Sequence, residues 1–532
     1  MNAEIKPPLE EIQHQLGRIV GVGHVINDSK ELNYYSTDVY GSDKTAVLTV
    51  QPQSTDQVSD IVRLVTDAGL CLVSRGGGMS YTGGYTPSQT NTVMIDTQAL
   101  NRILEINEDD MVITVEAGVT WQQIHQALTP RGLRLPFFGT YSGRKATVGG
   151  GIANGALFMG TARYGTAAEI VLGLEVVTSG GRVITTGQKA FSKGRAYYRS
   201  YGPDLTGVFV HDAGTLGVKT KISLRLIQTP DHTDCLSFVF SDVEHTVRGL
   251  SAVARSGVAE EAYVFDPVST KKSLADSDLR QDFRRLLGVI KGQSSFAKGL
   301  REGAKLVATG RNFMEEGLYS VHVVCASRSE AGLKADMQLC REIMDQQQGA
   351  EIPHSIPVTM RSNPFEHLNG ILGTDGERWA ALNAKVAHSD AEQLVLRTKE
   401  IFAKYESEME KHRVFWTHLM IAISNHVFSF EPVLRWYDEW LPIHKRTPEP
   451  AHLKKLNEPA PNPEGRALVD RIREEVVALF AELGAASTQI GKTYLYYSSL
   501  NEETASLLMS IKRELDPDGL INPGAMGLPV NP

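Results

Sequence analysis

Between Ser54 and Gly69, apolar side chains recur at Val58, Ile61, Val62 and Val65, the i, i+3, i+4, i+7 spacing of one helical face. Ser54 and Gln57 stand ahead of that run at capping-box spacing, and Gly69 ends it. The pattern predicts a helix, and the apolar run from Cys71 predicts a strand after it. Residues 93–96 and 111–115 read as two more strands, and 120–128 as a short helix. Beyond residue 230 the periodicity is harder to follow. A strand at 319–324 and a helix at 331–345 suggest a mixed sheet crossed by helices, and the proline-rich stretch 442–463 reads as a loop or linker. No internal repeat or low-complexity tract is present.

The strand predicted from Cys71 runs directly into SRGGGMSYTGG, residues 74 to 84. Glycine lacks a Cβ, so Gly76, Gly77, Gly78, Gly83 and Gly84 can turn main-chain N–H groups onto an anion. Arg75 adds a fixed positive charge; Ser80, Tyr81 and Thr82 add hydroxyls, and Met79 interrupts the run. A second cluster, TVGGGIANG, holds Thr147, Val148, Gly149, Gly150, Gly151, Asn154 and Gly155, and GTARYG follows with Arg163, Tyr164 and Gly165. Neither glycine cluster satisfies GxGxxG, because Asn154 stands three residues past Gly151. IGKT at 490–493 lacks the first glycine of a P-loop, residue 486 being Ala. Two separated glycine loops in one α/β region suit a long ligand gripped at a diphosphate, with its rings in apolar slots. FAD has that build.

At 532 residues and 42% hydrophobic, the chain is long enough for two cores. Its net charge of −8 argues against a general nucleic-acid binder. The first residues carry acids and prolines where a secretory signal needs a basic start and an apolar stretch, and no run approaches a membrane span, so the chain reads as cytoplasmic. Cys71, Cys235, Cys325 and Cys340 lack metal spacing and read as buried apolar residues. Residues 271–311 turn basic, either as a solvated helical face or as a surface for an acidic electron acceptor or a membrane.

Four stretches together resemble the flavoproteins grouped with vanillyl-alcohol oxidase and p-cresol methylhydroxylase, nearest the D-lactate dehydrogenase and glycolate oxidase flavin-subunit type. They are VSRGGGMSYTGG (73 to 84), ATVGGGIANGALFMGTARYGTAAEIVLGLEVVTSGGRVITTG (146 to 187), DLTGVFVHDAGTLGVKTKISLRLI (204 to 227) and LDPDGLINPG (515 to 524). The resemblance implies an α+β protein: a two-subdomain FAD-binding domain over 1–229, a cap domain with a mixed or antiparallel sheet over 230–485, and a segment, 486–532, returning to the FAD domain. It implies that the first loop wraps the pyrophosphate, that Gly217 and Val218 lie against the adenine or flavin portion, and that Asn522 closes the site. Where such proteins attach flavin through a first-loop histidine this chain has Met79, so FAD is expected without a covalent bond. A homo-oligomer, taken as a dimer, is also expected.

The resemblance divides at the substrate. Hydroxy-acid dehydrogenases of this type carry an acid and a histidine before a GIG triplet and a histidine cluster for a metal. Here Thr488 and Gln489 occupy those places, and His418 and His426, eight apart, make no metal set. Lys492 is the expected substrate anchor, with Tyr494 and Tyr496 on one face if that segment is a strand. His418 and His426 are candidate bases, and Arg361 is a candidate on the cap, with Arg378, His388 and Trp379 nearby. The expected activity is FAD-dependent hydride removal from a C–H next to oxygen in a phenolic or benzylic small-molecule substrate. A D-2-hydroxy acid is the alternative, and a flavin-carrying subunit of an electron-transfer complex the third. Oxygen, a cytochrome and a quinone stay open as electron acceptor.

Overall fold

The computed structural model of the chain describes residues 8–42, 44–274 and 317–530. The first helix read from the sequence spans Thr55–Asp67, capped by Ser54 Oγ accepting from Gln57 N at 3.2 Å. It feeds the strand Cys71–Arg75, which pairs in parallel with Thr92–Asp96. With Leu48–Val50 and Val25–Ile26 these form a four-stranded sheet. A second, five-stranded sheet contains Ile103–Asn107, Val112–Glu116, Val171–Thr178, Arg182–Thr185 and Val218–Arg225, all paired antiparallel. Ile61 and Val65 of the helix share one core with Val93 of the first sheet and with Val177 and Val218 of the second. The apolar stripe thus joins the two sheets, and the glycine-rich segments lie where they meet.

The third sheet begins at His232 and ends at Trp436. Among the described residues it has eight strands, with His232–Phe240, Ala259–Phe265, Tyr319–Ser327, Val414–Ile423 and Val427–Trp436 its longest. Alternation along Val414–Ile423 divides its side chains between two environments, as strand geometry requires. Met420 and Ala422 join a core with Val247, Leu394 and Leu468 of three flanking helices. Ile421 and Ile423 join the core of the five-stranded sheet. The two bodies also meet through buried ions, Arg134 pairing with Glu260 at 2.6 Å and Arg361 with Glu260 at 2.5 Å.

Three local readings change. The cluster after Thr147 is not a loop but the helix Val148–Asn154, started by Thr147 Oγ1 accepting from Gly150 N. Residues 492–500 are turns with a short 3-10 helix, Tyr497–Ser499, rather than a strand. The proline-rich stretch holds Pro442–Arg446 and Pro450–Leu453, because proline at a first helical position loses no hydrogen bond. Most of the basic run 271–311 lies outside the described residues. Among those described, no helix is long and apolar enough to cross a membrane.

The segment after the helix Glu502–Leu515 returns to the first sheet, where Ile521 bridges Leu72 in parallel and Asn522 N donates to Leu72 O at 2.7 Å. The Lys512 ammonium, buried, donates to Asp516, Thr215 O and Ile521 O.

Candidate cofactor and substrate site

A cleft with about 500 Å³ of empty space, counting the solvent at its open mouth, lies between the four-stranded and five-stranded sheets. Its wall includes Arg75 and Gly76 of the first loop, Gly149, Gly150 and Asn154 of the helix, and Gly217 and Lys219. Among the described contacts no hydrogen bond engages the N–H groups of Gly77, Gly78 or Met79. A Cβ on Gly77 would overlap the carbonyl of Lys145, and Gly78 has φ +74° with Arg75 beneath it. The loop is therefore held by close backbone contact that only glycine permits, with free amides left for an anion.

Arg75 is 1% exposed, and its guanidinium lies 5.1, 5.0 and 5.3 Å from the ring centroids of Tyr34, Tyr35 and Tyr85. Its Nε and Nη2 make no close hydrogen bond, and its charge is favoured by Tyr85, Tyr34 and Asp96 nearby. A buried cation keeping N–H groups unpaired beside free amides fits a phosphate-bearing ligand. Lys219 brings a second charge into the cleft, paired with Asp212 at 2.6 Å, while Asp212 Oδ2 stays unpartnered. Asn522 fastens the rim: its Nδ2 donates to Gly84 O and Ala213 O, each at 2.7 Å, and its Oδ1 accepts from Lys492 Nζ at 2.8 Å. Asp38, fully buried, accepts from Gly83 N at 2.8 Å, and burial pushes its carboxyl up to about 6.

Beyond the rim, the third sheet turns polar side chains toward the loops. Lys385 opposes Ser429, and Glu431 lies two residues along on the same face. Lys385 Nζ donates to Asn383 Oδ1 and Thr488 Oγ1, both at 2.8 Å. Desolvation lowers its ammonium to about 7, against the attraction of Glu431. Desolvation likewise raises the Glu431 carboxyl to about 7, with Lys385 opposing. Tyr81 OH accepts from Gln489 Nε2 at 3.0 Å, and burial, Glu431 and Tyr494 hold this phenol well above its usual range. His211 Nε2 has no partner, and burial pushes that imidazole down to about 4. Aromatic rings complete the surroundings: Tyr81 against Trp379 at 5.5 Å, and Tyr141 stacked on Phe158 at 4.2 Å.

The candidates read from the sequence are distributed unevenly around this site. Met79, Ser80, Tyr81, Gly83 and Gly84 follow Arg75–Gly78 around the rim, and Thr147 and Gly151 belong to the helix facing them. Val148 is a core residue, Gly155 ends the helix against His211, and Val218 is buried in its strand. Arg163 donates to Ala326 O and Val258 O, tying a short helix to the third sheet, with Tyr164 and Gly165 beside it. Lys492 Nζ donates to Thr86 O, Gly83 O and Asn522 Oδ1, which occupies its N–H groups on the loop and the returning segment. Tyr494 OH accepts from Asn383 N at 2.6 Å and is buried, whereas Tyr496 is 36% exposed. His418 points into the helical core beside Trp416 and Phe430, His426 is exposed in a turn, and Arg361 is engaged by Glu260 and Glu261. Arg378 pairs with Asp438, and His388 contacts Asn425 O.

Lys219, His211, Lys385 and Glu431 were not read from the sequence. Glu431 had a signal: it is the one acid in the strand VFSFEPVLRW. Among the described residues no group of three or more His, Cys, Asp or Glu is placed to hold a metal.

Free amides, a buried arginine with N–H groups to spare and a cleft between two layers define a protein that binds a dinucleotide-type cofactor. Residues 46–187 match the FAD binding domain family. The chain is 31% identical over 221 residues to the glycolate oxidase subunit GlcD of Bacillus subtilis (strain 168), covering 42% of this chain and 45% of that protein. It is 27% identical over 233 residues to mitochondrial D-lactate dehydrogenase [cytochrome] 1 of Saccharomyces cerevisiae, covering 43% of this chain and 38% of that one. The chain thus spans less than half the length of these curated relatives. Its fold matches p-cresol methylhydroxylase with substrate bound at a TM-score of 0.72 and 16% identity, over 98% of this chain and 97% of that one. Residues 46–187 are therefore an FAD-binding domain, the cofactor is FAD, and the chain shares the fold of p-cresol methylhydroxylase.

Proposed function

We propose that this flavoprotein is an FAD-dependent oxidoreductase that removes hydride from a carbon bearing oxygen, with a D-2-hydroxy acid as substrate. The observation that carries the reading is Lys385, a recessed ammonium whose hydrogen bonds go to two neutral oxygens. An ammonium so placed gains most from an anionic ligand, and a 2-carboxylate supplies one. The relatives matched over the FAD domain, a glycolate oxidase subunit and a D-lactate dehydrogenase, support the same substrate class.

FAD, when bound, supplies the hydride acceptor. The protein's share is to orient and to move a proton. Lys385, steadied by Asn383 and Thr488, holds the carboxylate. Glu431, raised to about 7, takes the hydroxyl proton as the C–H bond breaks. Tyr81, fixed by Gln489, donates its phenol hydrogen to the substrate oxygen. Thr488 and Gln489, at the positions where hydroxy-acid dehydrogenases of this type carry an acid and an imidazole, therefore support Lys385 and Tyr81.

A second reading is favoured by the aromatic surroundings: a 4-hydroxyaryl alcohol whose phenolate pairs with Lys385 between the Tyr81–Trp379 and Tyr141–Phe158 rings. Anaerobic mixing of the flavin-loaded protein with D-lactate, glycolate or 4-hydroxybenzyl alcohol, followed by the flavin absorbance, separates the two. Bleaching by the hydroxy acids supports the first reading and bleaching by the aryl alcohol alone replaces it. Bleaching by none leaves a flavin carrier.

A further inference from the structure

One segment outside the cleft has no part in the chemistry above. Residues 188–203, QKAFSKGRAYYRSYGP, contain four cations and no acid, on a chain whose net charge is −8. Four aromatic side chains lie outward on it: Phe191 is 49% exposed, Tyr197 55%, Tyr198 54% and Tyr201 69%. Phe191 and Tyr201 pack against each other at 5.4 Å between ring centroids, and Tyr197 and Tyr198 stand exposed on the same short loop. The base of the loop is anchored by Gln188 N donating to Tyr198 O at 2.9 Å and by Arg199 Nη1 donating to Ala168 O at 2.6 Å. Arg195 and Arg199 are paired with Asp110 and Asp204. Lys189 and Lys193, two residues either side of Phe191, are exposed and form no ion pair among the described residues.

We propose that this loop docks the protein on an anionic lipid surface, with the four aromatic rings entering the headgroup layer and Lys189 and Lys193 meeting lipid phosphates. Exposed tyrosines beside lysines have an apolar body and a polar tip, the chemistry of a membrane interface. The charge is complementary to acidic headgroups and opposite to the rest of the protein, which an anionic surface repels. A protein partner needs roughly 800 Å² of matched shape on each side. An irregular loop broken by Gly194, Gly202 and Pro203 offers little of that, whereas a fluid headgroup layer demands no matching shape.

The test is flotation of the flavin-loaded full chain with vesicles of phosphatidylcholine alone or mixed 7:3 with phosphatidylglycerol. Binding is expected to the anionic vesicles, not to the neutral ones, and to be lost in about 0.5 M salt, where charges a few ångströms apart are screened. Lys189→Glu with Lys193→Glu should reduce partitioning about tenfold or more, and Tyr198→Ser with Tyr201→Ser should weaken it at low salt. Both variants should keep the wild-type flavin spectrum, which checks folding apart from docking. No binding to anionic vesicles, or binding unchanged in the lysine variant, overturns the proposal. So does wild-type self-association that the variants abolish, since the patch would then be a contact between copies.

Discussion

Lys385 and Glu431 set the chemistry at the residue scale, because each is held away from its ordinary charge. The carboxyl, raised to about 7, must be ionised to accept a proton, and the ammonium, lowered to about 7, must be protonated to hold an anion. Under the proposed mechanism kcat/KM therefore forms a narrow bell centred near pH 7, falling about tenfold per pH unit on each side. Lys385→Met removes the anchor while keeping the bulk. Steady-state kinetics with D-lactate should show kcat/KM lower by about a hundredfold and the alkaline limb gone. His418 offers the contrasting case. Burial among Trp416, Phe430 and Tyr319 pushes its imidazole down to about 3. Its folded pKa lies below the unfolded value of about 6.5, so the unfolded chain binds the proton first and stability is lost as pH falls through 6.5 toward 3. Replacing it by Phe should remove one proton from that dependence, flattening the urea-unfolding free energy by about 1.4 kcal/mol per pH unit between pH 6 and 4.5. Turnover with either substrate class should stay near wild type.

Elements assemble the site from distant stretches, which decides how much of it was legible in the sequence. The helix Thr55–Asp67, the strand after it and the glycine loop are local, and cap, periodicity and glycine spacing state them directly. Tyr319–Ser327 and Glu330–Gln346 were likewise open to reading from period alone. Lys385 was not, because its strand has three residues and its neighbours Thr488 and Glu431 come from elsewhere in the chain. Lys492 invited an anchor role by its place after Gly491, but only coordinates reveal the carbonyls that occupy it. Asn522 belongs to this scale too. Replacing it by Ala leaves Gly84 O and Ala213 O without their donor, at a cost of about 1–3 kcal/mol. FAD affinity, read from quenching of flavin fluorescence, should weaken about tenfold or more.

Across the whole molecule, the FAD-binding layers and the third sheet are joined by apolar contact and by the buried set Arg134, Arg361, Glu260 and Glu261. Glu260 is fully buried between two guanidinium groups, whose charges hold its carboxyl below the ordinary range despite burial. Glu260→Gln leaves two buried cations short of one negative charge and should destabilise the chain by about 3–5 kcal/mol in equilibrium unfolding.

The bridge between Leu72 and Ile521 has a further consequence during synthesis. Loops emerging early from the ribosome cannot be locked until a segment more than four hundred positions later is translated. Flavin capture is then a late event in biogenesis, and nascent or prematurely stopped chains should stay colourless and vulnerable to proteases even with vitamin-derived cofactor in plentiful supply.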